Sequence, residues 1–124
     1  MTKDQVREMY AGIERGDAAP FLDALADDVL YRHHGPAPHA GEHPGKAALL
    51  EVMQAVMPQI EDPKWNVEFV LAEGDDIVVV GTETFRVTAT DTSAEGRFVH
   101  VLKLRDGKIV LFEDFEMAGE GAWA

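Results

Sequence analysis

The feature that most constrains the fold is an alternation of apolar and polar residues on both sides of an Asp-Gly pair. Residues Gly96–Met117 read as two strands around Arg105–Lys108, and Asp-Gly between alternating runs predicts a β-hairpin. In the first of these strands, His100 falls on the same face as Phe98 and Leu102. The hairpin therefore sets a titratable side chain among apolar neighbours.

The length of the hairpin turn decides which residue of the second strand lies beside His100. A two-residue loop places His100 opposite Glu113 and turns Asp114 to the other face. A three-residue loop, Arg105–Gly107, instead places His100 opposite Phe112 and puts Asp114 on the same face, one diagonal step away. We favour the three-residue loop, because it brings more apolar residues onto the face that carries His100.

The amino-acid composition of the chain limits the kinds of partner that it can bind. The chain has 124 residues with 23 acidic and 11 basic side chains, and no basic run, which disfavours nucleic acid and anionic membrane as partners. It has no cysteine, so disulfides and thiolate sites are excluded. No stretch approaches the roughly 18 apolar residues of a membrane span, and the N-terminus lacks an apolar run. We therefore expect a cytoplasmic protein with one domain over residues 1–118 and a flexible tail over 119–124.

Helical periodicity precedes a series of alternating segments. Thr2 and Gln5 have the spacing of a capping box, which predicts the start of the first helix. The predicted elements are helices at 3–15 and 18–25, a strand at 29–34, a loop at 35–45, a helix at 44–60, and strands at 65–71, 77–90, 97–104 and 108–117. This order predicts an α+β domain, in which three N-terminal helices pack on a curved, mainly antiparallel sheet and a cavity lies at the enclosed end.

The face of the sheet turned away from the helices also has an apolar pattern. Val99, Val101, Ile109 and Leu111 alternate onto it. An apolar sheet face needs a cover. We therefore predict a homodimer that forms through the sheet face.

Several short segments resemble one superfamily over nearly the whole chain. They are Arg15-Gly16-Asp17 before Phe21, Ala26-Asp27-Asp28-Val29, His43-Pro44-Gly45-Lys46, and Gly96–Val101 followed by Leu104–Ile109. On these segments the chain resembles the nuclear-transport-factor-2-like superfamily, and within it the SnoaL-like polyketide cyclases and ketosteroid isomerases. The resemblance implies a cone-shaped α+β barrel of the cystatin type.

The same resemblance implies roles for particular residues. In SnoaL-like cyclases a histidine on the penultimate strand and an aspartate on the last strand share the pocket, and His100 and Asp114 look like that pair. His33 falls at the pocket position of the first strand, with Tyr31 on the same side. The chain departs from the isomerases, whose catalytic and oxyanion-binding aspartates fall at His33 and His100. We take as further candidates for the pocket wall Tyr10, Met53, Trp65, Phe85, Phe98 and Phe112.

The predicted chemistry is proton abstraction next to a carbonyl, without a cofactor, on a small hydrophobic molecule. Asp114 is the base, His100 the orienting residue or proton donor, and His33 and Tyr31 are auxiliary donors. Dehydratase or epoxide hydrolase activity fits these candidate residues less well. The alternative is a non-catalytic ligand-binding or dimerisation module of the same fold, in which Asp114 is only the structural partner of His100.

Histidines also surround the proline-rich loop. His34, His39 and His43, with Glu42, invite a metal-site interpretation, but their spacing matches no known ligand motif. The sequence therefore predicts no metal site.

Overall fold

The computed structural model describes residues 1–123, and in them three α-helices lie against one face of a six-stranded sheet. The elements are α1 (Lys3–Glu14), α2 (Ala19–Ala24), β1 (Leu25–His34), β2 (Gly41–Pro44), α3 (Lys46–Val56), a 3₁₀ turn (Met57–Gln59), β3 (Ile60–Glu73), β4 (Asp76–Val87), β5 (Thr92–Arg105) and β6 (Lys108–Glu116). The strand order is β2-β1-β6-β5-β4-β3, and the sheet is open. The predicted α+β fold is confirmed.

The first strand, β1, differs from the other strands in how it pairs with its neighbour. β1 runs parallel to β6, whereas the other neighbouring strands within residues 1–123 are antiparallel. The helical segment that separates β1 from the later strands allows this parallel pairing, since a parallel pair requires a long connection. As a result, residues from the beginning and the end of the chain lie side by side at the centre of the sheet.

The region predicted as a loop at 35–45 contains a short strand. β2 pairs with β1, from Leu30 opposite Pro44 to His33 opposite Gly41, and forms an edge of the sheet. Pro44 therefore ends β2 and does not lie in the first turn of α3, which begins at Lys46. Proline is compatible with an edge strand, where no neighbour needs its missing N–H.

The first helix begins as predicted and carries a polar residue into the core. The backbone N–H of Thr2 donates to Gln5 Oε1 at 2.7 Å, and the backbone N–H of Gln5 donates to Thr2 Oγ1 at 3.1 Å. This capping box fixes the start of α1. The helix buries Val6, Met9 and Tyr10, and so places a phenol group beneath the sheet.

The hairpin between β5 and β6 has the turn that we did not favour. Arg105 pairs with Lys108, so the loop is the two residues Asp106 and Gly107, whose φ angles of 51° and 77° are those of a type I′ turn. The register then shifts by one residue, because Lys103 pairs with Leu111 while Leu104 pairs with Ile109. The three-residue loop was therefore wrong.

The register shift is a β-bulge at Val110, and it decides the geometry of the pocket. One extra residue in β6 reverses the side on which the later residues point. His100 consequently lies directly opposite Asp114, and neither Glu113 nor Phe112 takes that position. The prediction that His100 and Asp114 share a face is correct, and the two residues are closer than the diagonal pair that we expected.

The bulge also changes the outer face of the sheet. Ile109 is fully buried in the core, so its predicted place on the outer face was wrong. Val99, Val101 and Leu111 are half-buried, as expected for outward residues. Phe69 and Leu71 on β3 extend this apolar face and are 43% and 56% exposed.

The residues after β6 pack against the far end of the sheet. Ala118 and Ala122 are buried in a small cluster with Phe85, and the Trp123 ring lies 6.0 Å from the Phe85 ring, measured between centroids. The predicted mobility of the 119–124 tail stays a prediction, and Ala124 lies outside the described residues. No helix in residues 1–123 has the length and apolar character needed to cross a membrane.

Candidate functional site

A cavity of about 150 Å³ lies between the helices and the concave face of the sheet. Apolar side chains of α1 and α3, among them Met9 and Met53, form one wall. The opposite wall, on the sheet, is polar and carries His100, Asp114 and Glu83. The cavity is therefore an apolar space with titratable groups along one side.

A row of three side chains crosses the polar wall. Tyr10 Oη lies 2.5 Å from His100 Nδ1, and His100 Nε2 lies 3.0 Å from Asp114 Oδ1. Burial, and then the negative charges of Asp114 and Glu83, raise the pKa of Tyr10 well above its usual value. The phenol therefore stays protonated and shares a hydrogen bond with His100 Nδ1.

Asp114 keeps its charge although it is buried. Burial by itself raises the pKa of this carboxyl group, but the charge and hydrogen bonding of His100, followed by the charge of His33, lower it below the usual value. Asp114 is thus a carboxylate at neutral pH. It is 9% exposed and lines the cavity, so it can accept a proton from a bound molecule.

His33 lies behind the polar wall. It pairs with Asp114 in the parallel ladder between β1 and β6, and His33 Nε2 lies 3.7 Å from Asp114 Oδ2 and 3.4 Å from Glu116 Oε1. The side chain is buried, and neither ring nitrogen has a hydrogen-bond partner among residues 1–123. His33 is not among the residues that line the cavity.

His39 stands between His33 and the cavity. The two imidazole rings lie 4.1 Å apart, measured between centroids. Burial, and then the nearby charge of His33, lower the pKa of His39 to about 4, so it is neutral at pH 7. His39 is the pocket histidine on this side, whereas the sequence indicated for it only a weak resemblance to a metal ligand.

Two glutamates of the polar wall were missed from the sequence. Glu83 is 5% exposed, and its Oε2 accepts a hydrogen bond from Trp65 Nε1 at 3.1 Å. Burial, and then the charge of Glu116, raise the pKa of Glu83 to about 10. A signal existed for both residues, because Glu83 shares its strand face with Phe85, and Glu116 lies two positions after Asp114 on the same face.

The predicted pocket-wall residues fall into two groups. Those that line the cavity are Tyr10, Tyr31, Met53, Trp65, Phe85 and Phe112. Phe98 is fully buried below it and packs against Tyr10 and His100, with ring centroids 5.9 Å and 4.5 Å away. Burial, and then the charge of Asp114, raise the pKa of Tyr31, so it is a protonated donor at the wall.

One set of side chains has the donor atoms of a cation site. Within residues 1–123, donor atoms of His33, Asp114 and Glu116 lie within 4.8 Å of one another, and these residues could hold a divalent ion. The loop histidines are not gathered into a site. His34 Nε2 contacts Glu113 Oε2 at 2.8 Å, and His43 Nε2 contacts the carbonyl oxygen of His39 at 2.7 Å.

Helices packed on a curved sheet, with a buried carboxylate and histidines at an enclosed pocket, define a domain of the NTF2-like class. The family model for the SnoaL-like domain matches residues 6–112. The chain therefore belongs to the SnoaL-like domain family. The comparison with curated proteins finds no match to the sequence.

Solved structures agree with this assignment. An NTF2-like protein of unknown function from Burkholderia pseudomallei is 30% identical with a TM-score of 0.79, and the match covers 92% of this chain and 90% of that one. TerC, which was co-crystallised with polyporic acid, is 27% identical over 90% of this chain and 87% of that one, with a TM-score of 0.75. A putative polyketide cyclase from Xanthomonas campestris, at 18% identity over 91% of this chain and 87% of that one and a TM-score of 0.78, shares the fold.

Proposed function

We propose that this protein binds a small hydrophobic molecule that carries a carbonyl group, and that Asp114 removes a proton from the carbon next to that carbonyl. One observation carries the proposal: an ionised, buried carboxylate at the wall of an apolar cavity, held by His100 and through it by Tyr10. A base that is fixed in this way loses little freedom when it reacts.

The proton transfer converts the ligand into an enolate. Asp114 takes the proton, the electron pair of the carbon–hydrogen bond moves toward the carbonyl, and negative charge develops on the oxygen. Return of the proton to the same carbon gives exchange, and its return to another carbon gives isomerisation. Because the pKa of Asp114 is low, Asp114 is a weak base, and we expect activated carbon acids such as 1,3-dicarbonyl compounds to be the best substrates.

His100 acts as the orienting residue in this proposal. Its Nδ1 is bonded to Tyr10, and its Nε2 lies 3.0 Å from Asp114 Oδ1, so both ring nitrogens face protein groups. Tyr31 keeps its proton and lines the cavity, and it serves as an auxiliary donor. His33 lies behind the wall, with its Nε2 3.7 Å from Asp114 Oδ2.

The size of the cavity narrows the ligand class. A dry cavity of about 150 Å³ in another protein accepts benzene, and the cavity of this protein has about the same volume. The first ligands to test are therefore compounds with one ring or a short chain. The structure of TerC with polyporic acid supports an organic ligand for this protein.

The test is hydrogen–deuterium exchange, followed by NMR in heavy water, on a series from cyclohexanone to ethyl acetoacetate. The wild type is expected to accelerate exchange, and Asp114→Asn is expected to lose about 10²- to 10⁴-fold of that acceleration. Glu113→Gln is the matched control, because Glu113 is the next residue and contacts Arg32 and His34 on the outer face. Equal exchange with Asp114→Asn would refute the assignment of the base.

The alternative function is a binding or dimerisation module without catalysis. The apolar outer face of the sheet, with Val99, Val101, Leu111, Phe69 and Leu71, favours self-association. We propose a homodimer that buries this face. Sedimentation at micromolar concentration is expected to give about twice the 13.6 kDa chain mass, and a species of the chain mass alone would refute it.

A further inference from the structure

Buried polar atoms without a hydrogen-bond partner gather at one end of the polar wall. Within residues 1–123 they include both ring nitrogens of His33 and Oε1 of Glu116. The His33 side chain has no exposed surface, and its Nε2 points between the carboxyl groups of Asp114 and Glu116. Buried polar groups are normally hydrogen-bonded, and buried charges either pair with an opposite charge or coordinate a metal. These three residues therefore form a group that a bound ion would complete.

The spacing between their donor atoms is that of ligands around a small cation. His33 Nε2 lies 3.4 Å from Glu116 Oε1 and 3.7 Å from Asp114 Oδ2, beyond the usual range of a hydrogen bond. Two ligands of a tetrahedral zinc ion are each about 2.0–2.2 Å from the metal, and therefore about 3.3–3.6 Å from each other. A hydrogen-bonded pair is closer, since His34 Nε2 and Glu113 Oε2 on the outer face are 2.8 Å apart.

The charged groups of the cavity wall also favour a cation. Three carboxyl groups line the cavity, those of Glu83, Asp114 and Glu116. No lysine or arginine among residues 1–123 lines it with them. A divalent ion would supply the positive charge that the wall lacks, and its bonds to the carboxylates would replace the missing hydrogen bonds.

The ligand atoms are held by the sheet and can be reached through the cavity. The parallel ladder between β1 and β6 places His33 beside Asp114, and Glu116 follows two residues later on the same face. Asp114 and Glu116 line the cavity, with side chains that are 13% and 11% exposed, so an ion can enter from that side. Three protein ligands leave a fourth position for water or a bound molecule.

We propose that His33, Asp114 and Glu116 bind one zinc ion per chain. One imidazole and two carboxylates suit zinc, whereas calcium requires about six to eight oxygen ligands. The bound ion occupies the carboxylate of Asp114, so zinc binding competes with proton abstraction by that residue. The zinc site itself does not depend on the proposed function, but this competition rests on it.

The first test is zinc binding at pH 7, measured by competition with a colorimetric chelator on protein that has been freed of metal. Wild type is expected to bind one equivalent of zinc and no calcium under the same conditions. His33→Gln and Glu116→Gln are each expected to lose about 100-fold or more in zinc affinity, because even a residue that only supports a ligand contributes about 10- to 100-fold. Two ligand variants are used so that the result does not depend on the folding of either one.

The matched control is His34→Gln. His34 is the next residue after His33, but it points to the outer face and contacts Glu113 there. This variant is expected to bind zinc as wild type does. The zinc site is refuted if wild type binds no zinc, or if His34→Gln loses binding while His33→Gln and Glu116→Gln retain it.

Exchange on ethyl acetoacetate separates a failure of this inference from a failure of the proposed function. Metal-free wild type is expected to exchange through Asp114, and one equivalent of zinc is expected to suppress that exchange, after the rate with zinc and no protein is subtracted. Glu116→Gln is expected to keep its own metal-free rate when zinc is added. If zinc does not bind while exchange depends on Asp114, the zinc site fails and the base stands. If zinc binds through these three residues and exchange continues, the site stands and Asp114 is not the base.

Discussion

Replacing Glu83 by glutamine makes the folding stability less sensitive to pH. The unfolded chain releases the Glu83 proton near the ordinary pKa of about 4.3, whereas the folded protein holds it until a pKa of about 10, because of burial and the neighbouring Glu116. Between these values the folded state has one proton more than the unfolded state. The contribution of Glu83 to stability is therefore complete below the unfolded pKa and is lost as pH rises toward the folded pKa.

The size of the effect follows from proton linkage. Each pH unit in this window removes at most about 1.4 kcal/mol from the wild-type free energy of unfolding. Glutamine does not titrate, so the stability of Glu83→Gln relative to wild type is expected to increase by up to about 2.7 kcal/mol from pH 6 to pH 8. This value is an upper bound, because Glu116 titrates together with Glu83 and shares the proton.

The assay is urea-induced unfolding of wild type, Glu83→Gln and Glu95→Gln at pH 6, 7 and 8. Other titratable groups contribute almost equally to all three proteins, so the difference between variant and wild type isolates one residue. Glu95 is exposed on the adjacent strand and is the matched control, with a difference from wild type that does not change with pH. If the difference in stability between Glu83→Gln and wild type is equally constant with pH, the raised pKa of Glu83 is refuted.

Three further predictions concern the site and the surface. Tyr10→Phe removes the hydrogen-bond partner of His100 Nδ1, so exchange on ethyl acetoacetate by NMR is expected to fall about 2- to 10-fold; an unchanged rate would show that Tyr10 does not hold His100 for the reaction. Treatment with EDTA is expected to leave exchange unchanged, because Asp114 acts as a free carboxylate; a loss that zinc restores would contradict this. Val101→Glu puts a charge on the outer face of the sheet and is expected to give a monomer in sedimentation, without loss of exchange.

The fold was predictable because its signals are local. A capping box needs only Thr2 and Gln5, and the side on which a strand residue points follows from alternation alone. For the same reason the apolar face of β5 could be read with His100 in it. These features depend on neighbours in the sequence, so the chain carries them before any long-range contact forms.

The register of the hairpin was harder to predict, although the turn itself was visible. Asp106-Gly107 signals a tight loop, but the bulge at Val110 has no local marker of its own. Without the bulge, a two-residue loop turns Asp114 away from His100. The shorter turn and the bulge each move the residue opposite His100 by one position, from Phe112 to Asp114 in total. A change of two positions preserves the face, so the shared face was inferred correctly through a turn of the wrong length.

What the sequence determined by itself is the fold class, the approximate positions of the elements that build it and the two polar residues on the last hairpin. Only the tertiary structure brings His33 beside Asp114, because the parallel pairing of β1 with β6 joins segments about 80 residues apart in the chain. Only tertiary packing makes Glu83 a neutral acid, since its burial and its neighbour Glu116 come from different strands. Alternation sets the direction of a side chain, but its protonation depends on groups that the fold alone brings close.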